Sequence, residues 1–169
     1  MRTTGFRILM ACALLAASHV AMAGAQMKYG VTVLTLRQAD LAKARTYGWT
    51  VAHPSPDKNI DRMVVAAVDR ELAARGLTKV PSGPSDLVVS YDSLQRTDVD
   101  LKAKPTEAGT LRDVSVGTLV VDLRGPDNKQ SFFRVRMDTP IDRPRAEMEA
   151  PINGAVTAMF EKYPSPSKR

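Results

Sequence analysis

Few residues in this chain are equipped for chemistry. The 169 residues include 2 His and 1 Cys, against 24 Lys and Arg and 18 Asp and Glu. His53 stands in the run His53-Pro54-Ser55-Pro56. One histidine beside prolines lacks the companions that a metal site or a Ser-His-Asp triad requires, so it reads as an exposed loop residue. Asp86, Asp92 and Asp122 adjoin apolar stretches. Two of them in one pocket, one held protonated, would make an acid–base pair for a hydrolase or transferase. The plainer reading has Asp86 capping a strand entry and Asp122 on a wet face or paired with an arginine. Ser90, Ser93 and Ser115 lack a nucleophile-elbow context and a partner base. No glycine-rich loop follows a strand and opens a helix, as a phosphate cradle would. No catalytic residue, metal site or cofactor is therefore assigned.

Binding is better represented. Arg124, Arg134 and Arg136, with Arg143 and Arg145 nearby, surround an expected hairpin, and Arg96 and Arg112 fall in a polar segment, 92–116. These five, Arg124, Arg134, Arg136, Arg96 and Arg112, are the candidate binding residues, able to meet the phosphates of an anionic envelope polymer or an acidic envelope protein. A solvated strand face is the competing reading, since exposed ion pairs contribute little. Tyr47, Trp49 and Tyr91 offer an aromatic platform for a ligand, but aromatics alternating on strands usually pack beneath a helix.

The elements that must position these groups follow from hydropathy patterning. Arg2 and Arg7, an apolar run from Ile8 to Ala17 and the small-residue site Ala21-Met22-Ala23 stand in the order of a secretory signal. Residues 1–23 are expected to be removed, with Ala25 as the nearby alternative cleavage point, and no membrane span is expected in 24–169. Leu9-Met10-Ala11-Cys12 loosely resembles a lipoprotein processing site, so anchoring at Cys12 is the rival reading. The apolar run continues past Cys12, whereas such a site belongs at its end. Loss of the signal would leave no cysteine, so the fold would rest on its core alone. The remaining basic excess is too mild for a nucleic-acid footprint.

Residues 24–169 read as one α/β domain. Val31–Leu36 and Thr46–Val51 alternate like strands. Asn59 is an N-cap candidate, and Ile60, Met63, Val64, Ala67, Val68 and Leu72 make one helical stripe that Gly76 should stop. Asp86–Tyr91 reads as a central strand and 92–116 as a long loop. Gly117–Leu123 and 131–138 should form a hairpin around Gly125-Pro126-Asp127-Asn128. Ile152, Ala155, Val156, Met159, Phe160 and Tyr163 form a second stripe, with Pro151 at its first position and Pro164 ending it. The expected order is β-β-α-β-β-β-α: an α+β two-layer sandwich, a mixed sheet of about five strands with two helices packed on one face. The link from 46–51 through the first helix to 86–91 should join parallel strands.

These landmarks resemble the bacterial envelope family designated domain of unknown function 4136. Thr46-Tyr47-Gly48-Trp49 is similar to its early strand, and Val68-Asp69-Arg70-Glu71-Leu72 with Arg75-Gly76-Leu77 to its first helix and stop. Ser85-Asp86-Leu87-Val88-Val89, Gly117-Thr118-Leu119 and Phe160-Glu161-Lys162-Tyr163-Pro164 follow in the family's order. The family often has Trp-Arg-Gly where this chain has Phe133-Arg134-Val135, and many members look like lipoproteins. The resemblance implies an exported α/β domain and carries over no catalytic residues. Three functional readings follow: a non-enzymatic periplasmic or envelope binding or assembly module; a carboxylate-dependent hydrolase or transferase; and a passive stability factor with no dedicated ligand.

Overall fold

The computed structural model describes residues 30–101 and 103–164. The signal, the Cys12 alternative and the basic tail beyond Pro164 lie outside them. Six strands form one sheet: β1 (Val31–Thr35), β2 (Thr46–Trp49), β3 (Thr78–Lys79), β4 (Leu87–Val99), β5 (Asp113–Arg124) and β6 (Ser131–Pro140). Three helices accompany them: the single-turn α1 (Gln38–Leu41), α2 (Lys58–Ala74) and α3 (Glu149–Phe160). The spatial order is β1-β6-β5-β4-β2-β3. The pairs β1·β6, β6·β5 and β5·β4 are antiparallel, whereas β4·β2 and β2·β3 are parallel. The parallel β2–α2–β4 unit and the β5–β6 hairpin are as the sequence implies. The count is six rather than five because Thr78–Lys79, just past the glycine stop, adds a two-residue strand beside β2.

Period-two alternation decides which face the helices cover. Leu87, Val89 and Tyr91 of β4, Val121 and Leu123 of β5, and Phe133, Val135 and Met137 of β6 share one buried cluster with Val64, Val68 and Leu72 of α2 and Ile152, Val156 and Phe160 of α3. The helices thus lie on one side, and successive residues of each strand belong to opposite faces. A fully buried Leu or Phe contributes roughly 1.5–3 kcal/mol relative to exposure, so this single layer carries most of the stability.

Each helix end is accounted for chemically. Asp57, not Asn59, caps α2: its Oδ1 accepts from the amides of Asn59 at 2.9 Å and Ile60 at 3.4 Å. The helix starts earlier because Asp57 is extended and its short carboxylate reaches the orphan donors. Asn59 instead accepts from Arg62. At the other end Gly76 has φ of 83°, and the amides of Gly76 and Leu77 donate to the carbonyls of Ala73 and Leu72. That is the two-bond closure for which a left-handed residue is needed. Pro151 falls third in α3 rather than first, still within the turn whose amides have no helical partner.

The expected 92–116 loop is strand at both ends, over 92–99 and 113–116. β4 runs on to Val99, and β5 begins at Asp113, with Val99 opposite Asp113. Only 100–112 connects them. Leu94–Val99 is exposed or half-buried on both faces. Its backbone is paired, but its side chains show no burial period for a sequence reader to find.

Candidate functional site

The sheet face away from the helices holds most of the chemistry-bearing residues. Cross-strand register places Thr32 beside Arg136 and Leu34 beside Arg134. Arg136 lies beside Val120 and Arg134 beside Asp122. Val120 lies beside Asp92, and Thr118 beside Leu94. Together Thr32, Leu34, His53, Asp92, Leu94, Thr118, Val120, Arg134 and Arg136 line an open groove of about 520 Å³. Leu34 and Leu94 are 50% and 60% exposed, whereas Val120 is buried on the groove floor.

Most of the arginines are already matched. Arg124 Nε donates to Asp122 Oδ2 at 2.9 Å, and Arg134 stands 3.9 Å from the same oxygen. Arg136 pairs with Asp138 at 3.1 Å. Arg96 contacts Asp98 at 3.1 Å and Asp138 at 3.3 Å, and donates to Thr118 Oγ1 at 2.8 Å. Thr118 in turn donates to Asp138. Burial works to raise the Asp138 pKa, but hydrogen bonds from Thr118, Arg136 and Arg96 outweigh it and hold the carboxyl below its usual range. Arg112 stands apart, 3.9 Å from Asp142 near the loop. The five candidates therefore do not form one free cationic patch. Arg134 and Arg136 line the groove, with Arg134 the more loosely held; Arg96 and Arg124 flank it in ion pairs, and Arg112 is elsewhere.

The carboxylates do not converge either. Asp86 Oδ2 accepts from the amides of Arg45 at 2.8 Å and Thr46 at 2.9 Å and from the Thr46 hydroxyl. Those backbone donors lower its pKa and latch the start of β2 to the start of β4. Asp122 is buried and accepts from Arg124 and Ser131. Of the three, only Asp92 lines the groove. It meets His53: Asp92 Oδ1 lies 2.9 Å from His53 Nδ1 and accepts from the His53 amide at 3.2 Å. His53 is exposed, as its proline context implies, but its pairing with Asp92 was not legible. A parallel bridge between residues 39 apart creates it.

Tyr47, Trp49 and Tyr91 pack beneath α2 instead of forming a platform. The Tyr47 hydroxyl and the Trp49 indole both donate to Asp69 Oδ1 at 2.8 Å, and Lys79 donates to Oδ2 at 2.8 Å. The Tyr91 hydroxyl donates to Asp61 and accepts from the Ser55 amide. Burial, then the neighbouring carboxylate, raises both tyrosine pKa values. Among the described residues no cluster of His, Cys, Asp and Glu has metal-site geometry, and no helix is long and apolar enough to cross a membrane.

The sequence matches the family described as Domain of unknown function (DUF4136) over residues 35–165. This chain belongs to that family. The match runs from the end of β1 past α3, so the whole β2–α3 scaffold of this DUF4136 domain is included. No curated protein matches the sequence. Solved structures share the fold at low identity. A PelC dodecamer from Paraburkholderia phytofirmans is 11% identical, with a TM-score of 0.52 over 80% of this chain and 97% of that one. A PDZ domain protein from Parabacteroides distasonis, also 11% identical, has a TM-score of 0.55 over 82% of this chain and 36% of that one.

Proposed function

We propose that this DUF4136 protein is an exported, non-enzymatic binding or assembly module of the cell envelope, acting through its helix-free sheet face. One observation carries the reading: Leu34 and Leu94 stand half exposed in a groove bordered by Arg134, Arg136 and His53. Exposed leucines beside two arginines, of which Arg134 is only loosely held by Asp122, on a face that no helix covers among the described residues, suit an amphipathic anionic partner, either an acidic protein segment or an anionic envelope polymer. The signal-like pattern of residues 1–23 supports export, and PelC, a dodecamer, is an assembly built on this fold. Domain 24–169 acts as one unit in this reading, with no cofactor in the mechanism.

The test is site-specific photocrosslinking in intact cells. A photoreactive residue at position 94 should yield a discrete adduct, lost with Arg134→Glu, whereas one at Ala73 on the exposed side of α2 should not. Equal labelling at both positions, or none at 94, would overturn the proposal. Mass spectrometry of the mature N-terminus checks the processing: a start at Gly24, or at Gln26 if cleavage follows Ala25, is expected, and an acylated Cys12 would replace the free periplasmic form with a lipid-anchored one.

A further inference from the structure

We propose that the outer edge of β1, unpaired among the described residues, pairs with the same edge of a second copy, antiparallel, about a two-fold axis at Val33. This inference concerns the backbone edge of β1, which shares only Thr32 and Leu34 with the groove rim, and it does not depend on what the groove binds.

β1 is the outermost strand on its side of the sheet. Its sequence, Val31-Thr32-Val33-Leu34-Thr35, has no charge and no proline. The opposite edge differs. β3 has two residues, and its Lys79 is tied to Asp69 at 2.8 Å. Short, charged edges resist strand addition, and long uncharged ones invite it.

The hydrogen-bonding parity of β1 can be read directly. The Leu36 amide donates to the Phe132 carbonyl at 3.0 Å. In an antiparallel ladder alternate residues turn both backbone groups to the same neighbour. Thr32 and Leu34 therefore face β6. Val31, Val33 and Thr35 turn their N–H and C=O groups outward, where they meet no strand among the described residues.

Self-pairing about Val33 satisfies these groups and matches the side chains. Val31 falls opposite the partner's Thr35, and Val33 opposite the partner's Val33. Both pairs consist of outward residues, so each exchanges N–H and C=O across the axis. Thr32 falls opposite the partner's Leu34, which covers a side chain now 50% exposed. One step further, Leu36, 53% exposed, falls opposite the partner's Gly30. A side chain at Gly30 would have open space within 4 Å, so the leucine finds room there. No charge opposes a like charge on the paired strands. The cations of β6 in the two copies are three strand spacings apart, roughly 14 Å. That exceeds the Debye length of about 8 Å at physiological salt, so their repulsion is screened.

Opposed residues in an antiparallel pair share a face. The axis is therefore normal to the sheet, both helix layers lie on one side and both grooves on the other. Thr32 and Leu34 line the groove of each copy, so the two grooves adjoin across the axis. The partner is a second copy rather than a foreign strand because the edge complements itself at every register position.

Sedimentation equilibrium of the chain purified from export-competent cells, in a Cys12→Ser background, tests this. A monomer–dimer equilibrium is expected, weakened at least tenfold by Val33→Pro. That substitution removes an outward amide and no bond to β6, so the far-ultraviolet circular dichroism should be unchanged. Independently, Val33→Cys should form an intermolecular disulfide, since opposed Cα atoms in such a pair lie within bridging distance, about 5.5 Å. Thr35→Cys, opposite Val31, should not. A monomer at every concentration overturns the inference, as does a dimer that survives Val33→Pro while the Val33→Cys variant forms no intermolecular disulfide. Leu94→Asp should leave dimerisation intact, which separates failure here from failure of the groove reading.

Discussion

The two faces of the sheet are made from alternate residues of the same strands, yet they do different work. The face under the helices is a continuous apolar layer, in which Leu87, Val89, Val121, Leu123, Phe133 and Val135 are all essentially inaccessible. The other face carries ion pairs in a row: Arg134 and Arg124 on Asp122, Arg136 and Arg96 on Asp138. The first face supplies stability. The second keeps an exposed face soluble while leaving apolar patches at Leu34 and Leu94. A strand can thus be core and binding surface together, at a spacing of one residue.

Substitutions can break or sharpen that contrast. The largest effect is expected from Phe133→Ala, because Phe133 packs against Phe160 at 6.1 Å and Tyr163 at 5.4 Å between ring centroids. A loss of roughly 3–5 kcal/mol should appear in urea unfolding. A smaller loss would mean that the helix layer is less rigid than its packing implies. Next comes Glu71→Ala at the α2–α3 junction. Glu71 accepts from Thr157 at 2.6 Å and Arg75 at 2.7 Å, and Arg75 also donates to the Phe160 carbonyl at 2.6 Å. Removing it takes the shared acceptor from the half-buried Arg75 guanidinium and the exposed Thr157 hydroxyl and should cost about 1–2 kcal/mol in thermal denaturation.

Glu71 also sets a pH dependence. Burial works to raise its pKa, but the Thr157 and Arg75 hydrogen bonds prevail and lower it from 4.5. A carboxyl whose folded pKa lies below the unfolded one adds stability that is complete above the unfolded value and disappears as pH falls through the folded one. Acid titrations of the wild type should lose stability below about pH 4.5, and Glu71→Gln should flatten that loss. Gly76→Ala is expected to cost about 1 kcal/mol through its left-handed backbone, read as a shift in the urea midpoint. The smallest effect belongs to the open face: Leu94→Ser should change stability by less than about 0.5 kcal/mol. A loss above about 2 kcal/mol would erase the contrast by showing that something covers Leu94.

The covered face was legible because burial on one side imposes a period. The stripe from Ile60 to Leu72, the Phe133-Val135-Met137 alternation and the glycine stop at Gly76 stand where their spacing places them. The second half of β4 was hidden because Gln95 to Val99 pairs through its backbone while both sets of side chains meet water. The candidate site was half legible. Arg134 and Arg136 were identifiable as exposed strand cations, but their neutralisation by Asp122 and Asp138 depends on cross-strand register, which a linear sequence does not display. The His53–Asp92 contact was invisible for the same reason. Asp86, weighed as an acid–base candidate, is a latch between two strand starts, as its place before an apolar run allowed.

The position of β1 has a consequence for the order of events during folding. β4, β5 and β6 follow one another along the chain, so their ladders close through connecting segments of limited length. β1 must return across most of the polypeptide to bring Val31 opposite Met137. Closing so large a loop costs conformational entropy before any contact rewards it, so such contacts tend to form late. The amides of Thr32 and Leu34 should therefore exchange with solvent deuterium earlier than those of Val121 or Val135, and the edge that begins the sheet in sequence would be the last to lock in time.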